Sequence, residues 1–215
     1  MFYLIKTPWW LKKIYPSLVW NIPAEEKTIY LTFDDGPHET ATPLVLRLLQ
    51  QYHAKATFFC IGDNVVKNPS IYNDILQQGH AVGNHTFNHL DGWKTGDEAY
   101  LQNIAQAAKH IRSNLFRPPY GRIKKFQAKL LQQVATPFSI IMWTVLSGDF
   151  DTAISPQQCL QNVVKHTGAG SIVVFHDSAK AYQRMAFALP KVLEHFTEKG
   201  YVFKALQMAE NEQER

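Results

Sequence analysis

The feature that most constrains this chain is a regular alternation of strand and helix patterns along almost its whole length. Residues 28–33 (TIYLTF) are β-branched and aromatic and end in Asp-Asp-Gly-Pro, the pattern of a strand running into a loop. Residues 41–52 carry Leu44, Val45, Leu48 and Leu49 at helical spacing. Strands follow at 56–61 and 81–83, separated by a helix at 70–78 that Gly79 stops. The pattern then predicts a long helix from Asp97 to about residue 113 and a short strand at 115–117 that runs into Pro-Pro-Tyr-Gly. A helix at 125–134 and a strand at 138–143 come next, and Pro156 opens a helix to about residue 166. A strand at 171–175, a helix at 184–199 and a short strand at 201–203 complete the series. Such alternation predicts a parallel sheet with helices outside it, as a barrel or a doubly wound sheet.

The polar, reactive residues follow the strands rather than the helices. Asp34-Asp35 comes after the first strand, His85 after the third, Arg117 after the fourth, Asp149 after the fifth and His176-Asp177 after the sixth. In barrels and open α/β sheets, ligands bind at the carboxyl ends of the strands, so these residues are expected to converge on one mouth.

The 215 residues suit one domain, and 46% hydrophobic residues suffice for a core. The net charge of +4 is spread along the chain, and its densest clusters, Lys12-Lys13 and Lys124-Lys125, are short. That argues against a nucleic-acid-binding stripe but permits a neutral or anionic partner. The two cysteines, Cys60 and Cys159, read as buried thiols rather than a disulfide framework. Residues 1–27 form an aromatic N-terminal segment interrupted by Lys6, Pro8, Lys12-Lys13 and Pro16. It is too broken for a transmembrane helix or a signal peptide, which points to a cytoplasmic or membrane-peripheral location. Its tryptophans, Trp9, Trp10 and Trp20, are expected to cover the end of the domain. A peripheral membrane contact is the alternative. Residues 28–208 are expected to form the domain proper, and 209–215 a polar tail that frays.

Two imidazoles four residues apart, in His85-Thr-Phe-Asn-His89, face the same way on a helical turn and can reach one metal. The remaining histidines lack this pairing, although His38 follows the acidic loop closely. Adjacent carboxylates in one cleft repel unless a cation is near. One carboxylate with two histidines is a common ligand set for a hydrolytic metal and leaves positions open for water and substrate. The second carboxylate is then free to act as a base. The competing reading is a pair of solvated loop aspartates in a Gly-Pro turn.

TFDDGP (32–37), HTFNH (85–89), RPPYG (117–121) and VFHD (174–177), in this order, resemble the polysaccharide deacetylase family, the NodB-homology group or carbohydrate esterase family 4. The resemblance runs from about residue 28 to 203. It implies a distorted (β/α) barrel of about seven units. It also implies Asp35, His85 and His89 as ligands of a divalent metal. Zn²⁺ is the first choice, and Co²⁺, Mn²⁺, Ni²⁺ or Fe²⁺ also accept such a set. Asp34 would be the general base, held by Arg117, and metal-bound water the nucleophile. His176 would be the acid that protonates the leaving amine, oriented by Asp149. The backbone N–H of Tyr120 would help hold the oxyanion, and Val174, in place of the family's usual leucine, would line the acetyl pocket. One motif departs: the family's Asp-x-x-Asp-Trp is Leu146-Ser-Gly-Asp149-Phe150 here, which keeps the partner of His176 but changes a groove wall.

These roles meet the demands of the reaction. A metal lowers the pKa of bound water toward ~7, a base must carry a charge that Arg117 favours, and an oxyanion donor is worth about 10²–10³ in rate. The expected substrate is an acetylated glycan containing N-acetylglucosamine, such as peptidoglycan or chitooligosaccharide, with Trp93 and Phe150 as candidate sugar contacts. Alternatives are an O-acetyl esterase on acetylated xylan, a deformylase, or a catalytically silent glycan-binding domain.

Overall fold

The computed structural model describes residues 3–23 and 26–207, so the tail expected at 209–215 lies outside the described residues. In chain order the elements are α1 (Trp9–Ile14), β1 (Thr28–Asp34), α2 (Ala41–Gln51), β2 (Ala56–Cys60), α3 (Gly62–Lys67), α4 (Pro69–Gln77), β3 (Ala81–Asn84) and α5 (Asp97–Ala108). They continue with β4 (Leu115–Phe116), α6 (Lys125–Leu131), β5 (Ser139–Ile140), β6 (Val145–Leu146), α7 (Pro156–His166), β7 (Ile172–His176), α8 (Tyr182–Glu198) and β8 (Val202–Phe203).

The strands line up in the order β5-β4-β3-β2-β1-β7-β6, with β8 on the first residues of β1. Every ladder is parallel, and the sheet curls into a partly open barrel wrapped by helices, the distorted (β/α) barrel expected. β1 is central and almost wholly buried: Ile29, Leu31 and Phe33 form an apolar face toward the helices, while Thr28, Tyr30, Thr32 and Asp34 alternate on the other face. On the helix side, Phe33 stacks on Phe58 and Phe175, its register partners, at 5.2 and 6.1 Å. This aromatic row lies one residue before β1 and β7 end, at Asp34 and His176. It fixes their register, since a slip of one residue would swap the two faces of the strand. Inside the barrel, Phe59, Leu115, Ile141 and Ile172 pack together.

Three sequence expectations change. The strand read at 138–143 is only Ser139–Ile140, and a separate strand, Val145–Leu146, follows it. Asp149 therefore follows the sixth strand, and His176 ends the seventh. The helix from Asp97 stops at Ala108, short of residue 113. Residues 85–89 are not a helical turn but a loop with positive φ at Thr86 and His89.

The N-terminal segment lies in the gap between the sheet's two outer strands, β5 and β6. Val19 extends β5: its N–H donates to Ile140 O at 2.9 Å, and Met142 N–H donates to its carbonyl at 2.7 Å. Lys6 pairs antiparallel with Val145 of β6, where Leu146 N–H donates to Ile5 O at 2.8 Å. Open edges thereby gain partners. Trp20 is buried with Leu18, Tyr100, Phe116 and Met142, so it is not available to a membrane surface. Trp9 and Trp10 stay 69% and 47% exposed. No helix among the described residues is long and apolar enough to cross a membrane.

Trp20→Ala should therefore destabilise the fold by about 3–5 kcal/mol, whereas Trp9→Ala should stay within about 0.5 kcal/mol. Urea unfolding of both variants checks this. Equal midpoints would mean that the segment is not part of the core.

Candidate active site

The strand ends bring the sequence-selected residues to one mouth. At the end of β1, Asp34 is buried, and Asp35 takes a left-handed φ of 82°. The turn that carries them is pinned by Asp177, whose Oδ1 accepts the N–H of Gly36 at 3.0 Å and whose Oδ2 accepts the Thr42 hydroxyl. A Cβ on Gly36 would lie 2.0 Å from Asp177 Oδ2, so only glycine fits there. Asn64 Nδ2 also donates to the Asp35 carbonyl at 2.7 Å.

The 85–89 loop brings in the two imidazoles by a route other than helical spacing. Asn84 Oδ1 accepts Thr86 N–H at 2.8 Å, and Asn103 Oδ1 accepts the N–H groups of Phe87 and Asn88 at 2.8 and 3.0 Å. The loop folds back on itself, leaving the two rings 5.1 Å apart. His85 Nδ1 lies 2.7 Å from the Arg117 carbonyl. A carbonyl only accepts, so Nδ1 carries the proton and Nε2 presents its lone pair. Asp35 Oδ1 is 3.8 Å from His85 Nε2 and 3.3 Å from His89 Nε2.

These residues fit a divalent metal. Their ligand atoms all lie within 4.8 Å of one another, and Asp35 Oδ1 is buried without a hydrogen-bond partner. Burial pushes His85 down to about 4, so it is neutral near pH 7, as a ligand must be. Burial opposes the charge of Asp35, but the His89 contact and the neighbouring His176 and His85 outweigh it and hold the carboxyl well below its usual range. His38, by contrast, accepts the N–H groups of Thr40 and Ala41 on Nδ1 at the start of α2 and takes no part in the cluster.

Two charged pairs flank the cluster. Arg117 is fully buried; its Nη1 donates to Asp34 Oδ1 and to Thr32 Oγ1, both at 2.7 Å. Its Nε and Nη2 donate to the carbonyls of Ile141 and Met142 at 3.2 and 3.0 Å, and its Cζ lies 4.1 Å from the Phe59 ring centre. On the other side, Asp149 Oδ1 lies 2.7 Å from His176 Nδ1, and its Oδ2 accepts the His176 N–H at 2.7 Å. Burial would lower the pKa of His176, but the charge and hydrogen bond of Asp149, with Asp35 and Asp34 beyond, push it up to about 10. Phe150 packs edge-on against His176 at 5.3 Å.

Tyr120, at φ 60°, sets its ring edge-on to His89 at 4.7 Å. Val174 lies beneath the mouth, fully buried and in register with Thr32 and Leu146. Trp93 stands farther out, and Arg122 lies over both its ring and that of Tyr120. Sequence reading gave no role to Asp177, Thr42, Asn103 or Tyr3. Tyr3 packs on Phe150 at 5.0 Å and donates to Asp151 Oδ2 at 2.9 Å. Asp177 had a signal, its place beside His176 after a strand. Tyr3 had none, because its position depends on how the N-terminal segment pairs.

Known proteins resemble this chain in sequence and in fold. The sequence profile described as polysaccharide deacetylase matches residues 21–137. A peptidoglycan-N-acetylglucosamine deacetylase of Bacillus cereus is 36% identical over 200 residues, spanning 89% of this chain and 93% of the relative. A chitooligosaccharide deacetylase of Azorhizobium caulinodans is 32% identical over 164 residues, or 73% of this chain and 77% of the relative. A solved peptidoglycan N-acetylglucosamine deacetylase superposes with a TM-score of 0.84 at 30% identity, covering 93% of this chain and 95% of that one. The chain belongs to the polysaccharide deacetylase family. A pseudoenzyme of the same family from Bacillus anthracis shares the fold at a TM-score of 0.76 and 24% identity, covering 89% of this chain and 68% of that one. The fold therefore does not carry activity by itself.

Arg117→Met should cost about 3–5 kcal/mol, because it leaves a buried carboxylate unpaired. The double variant with Asp34→Asn should lose clearly less than the two single losses added. Urea unfolding of the four proteins measures this coupling, and simple additivity would mean that the pair is not a unit.

Proposed function

We propose that the protein is a metal-dependent hydrolase that removes N-acetyl groups from a glycan containing N-acetylglucosamine, of the peptidoglycan or chitooligosaccharide kind. The observation that carries this reading is the placement of two opposed charge pairs, Asp34–Arg117 and His176–Asp149, on either side of the Asp35–His85–His89 cluster. Amide hydrolysis needs a base for water and an acid for the leaving nitrogen, and the two pairs supply one each. The names of the relatives support the same substrate class.

Asp34 takes the proton of the attacking water, and Arg117 holds its carboxylate in place through the 2.7 Å bond. The backbone N–H of Tyr120 stabilises the oxyanion of the tetrahedral intermediate. As the carbon–nitrogen bond breaks, His176 Nε2 gives its proton to the nitrogen, so that a neutral amine leaves together with acetate. Asp149 keeps that proton on the imidazole beforehand and fixes the ring by accepting from both its Nδ1 and its backbone N–H. Val174 lines the acetyl pocket, and Phe150 and Trp93 contact the sugar. A divalent metal held by Asp35, His85 and His89, with zinc the first choice, would polarise the carbonyl and acidify the water.

Acetate release tests the reading. Metal-stripped protein reloaded with Zn²⁺ should release acetate from N-acetylglucosamine oligomers or peptidoglycan fragments, and chelated protein should not. Asp34→Asn should lower the rate by about 10²–10⁴-fold, and His85→Ala should abolish it. Acetate from O-acetylated xylan alone would make the protein an esterase. No acetate from any substrate, with metal bound, would support a silent binding domain.

The pH profile tests the acid. His176 has a raised pKa, so its proton is present at neutral pH and is lost as pH rises through about 10. The alkaline limb of kcat/KM should follow that loss. Asp149→Asn removes the stabilising charge, so the limb should move down toward the ordinary histidine value, and activity at pH 8 should fall more than at pH 6. A limb that does not move would exclude His176 as the acid.

A further inference from the structure

We propose that Arg122, clamped between Trp93 and Tyr120, builds a stacking platform for a pyranose ring next to the one that is deacetylated. The proposal rests on the glycan reading above and adds a subsite to it. Arg122 Cζ lies 5.4 Å from the Trp93 ring and 5.7 Å from the Tyr120 ring, and the Tyr120 ring stands 4.7 Å from His89 of the metal cluster. A continuous path of aromatic and cationic faces therefore leads outward from the reacting centre. Trp93 is 59% exposed and Tyr120 54%. Large rings so open to solvent contribute little to a core. Their broad apolar faces suit the C–H face of a sugar.

The platform is rigid because two loops are stitched together. Arg122 Nη1 donates to Asp91 Oδ2 at 2.6 Å, while Asp91 Oδ1 accepts the Trp93 N–H at 3.0 Å. The Trp93 indole N–H donates to the Ile123 carbonyl at 3.2 Å. The buried Gln127 side chain donates to the Gly92 carbonyl at 3.0 Å. A Cβ on Gly92 would lie 2.5 Å from the Arg122 carbonyl, so the loops meet too closely for any other residue there. A ring held this way loses little freedom on binding, and more of the stacking energy appears as affinity. Among the described residues only Nη1 of Arg122 makes a side-chain hydrogen bond, which leaves its other N–H groups to donate to sugar hydroxyls.

The test is steady-state deacetylation of the N-acetylglucosamine dimer and pentamer by the zinc-loaded enzyme and its Arg122→Gln and Trp93→Ala variants. Arg122→Gln should raise KM for the pentamer about tenfold, the size of a lost charge-assisted hydrogen bond to a sugar hydroxyl. It should leave kcat within about twofold and change the dimer's KM much less. Trp93→Ala should weaken pentamer binding by a similar factor. It removes an exposed ring while sparing the Arg122–Asp91 pair, so it keeps the test open if Arg122→Gln fails to fold. Unchanged pentamer KM in both variants, with the wild type active, would overturn the platform alone, as would an equal loss on dimer and pentamer. A wild-type enzyme that neither binds nor deacetylates any oligomer would overturn the functional reading and the platform with it.

Discussion

The buried ion pair between Arg117 and Asp34 is the contact on which the rest of the site depends. An arginine with no exposed surface is costly unless each of its donors is met, and here β1 meets it through Asp34 and Thr32 and the chain after β5 through two carbonyls. The same residue offers its own carbonyl to His85 Nδ1, which fixes the tautomer that turns Nε2 toward Asp35. One side chain and its backbone thus set the position of the proposed base and of one proposed metal ligand. Burial alone lowers the pKa of the guanidinium, and the Asp34 carboxylate opposes this. The pair is therefore stable only as a pair.

The two flanks of the site differ electrostatically. On one side a cation holds a carboxylate, the arrangement for accepting a proton. On the other a fully buried carboxylate holds an imidazole whose pKa is pushed up to about 10, the arrangement for giving one. Asp177 adds a third buried carboxyl, raised to about 8 chiefly by burial, which ties the Gly36 turn to the start of α2.

Much of this was legible in the sequence because parallel sheets place function at strand ends. A β-branched run followed by Asp-Asp-Gly-Pro predicts both β1 and the residues at its mouth, and the buried pattern of β1 bears this out. Local pattern failed where geometry depends on distant partners. His85 and His89 were expected to meet through helical spacing, but they meet because Asn84 and Asn103 hold a loop with two positive-φ residues. The pattern predicts one strand at 138–143 and none at Val145–Leu146, because a two-residue strand is too short to show a period. The pairing of Val19 with β5 and Lys6 with β6, which brings Tyr3 to Phe150, has no sequence signature, because an isolated strand register is not encoded by composition.

The central claim is that Asp35, His85 and His89 hold one divalent metal between the two charge pairs. Anomalous diffraction at the zinc absorption edge, from crystals grown with Zn²⁺, tests it most directly. The account predicts one strong peak per chain, about 2.0–2.2 Å from a carboxylate oxygen of Asp35 and from Nε2 of both histidines. A peak bound by other residues, or no peak at this cluster in zinc-saturated crystals, would contradict it.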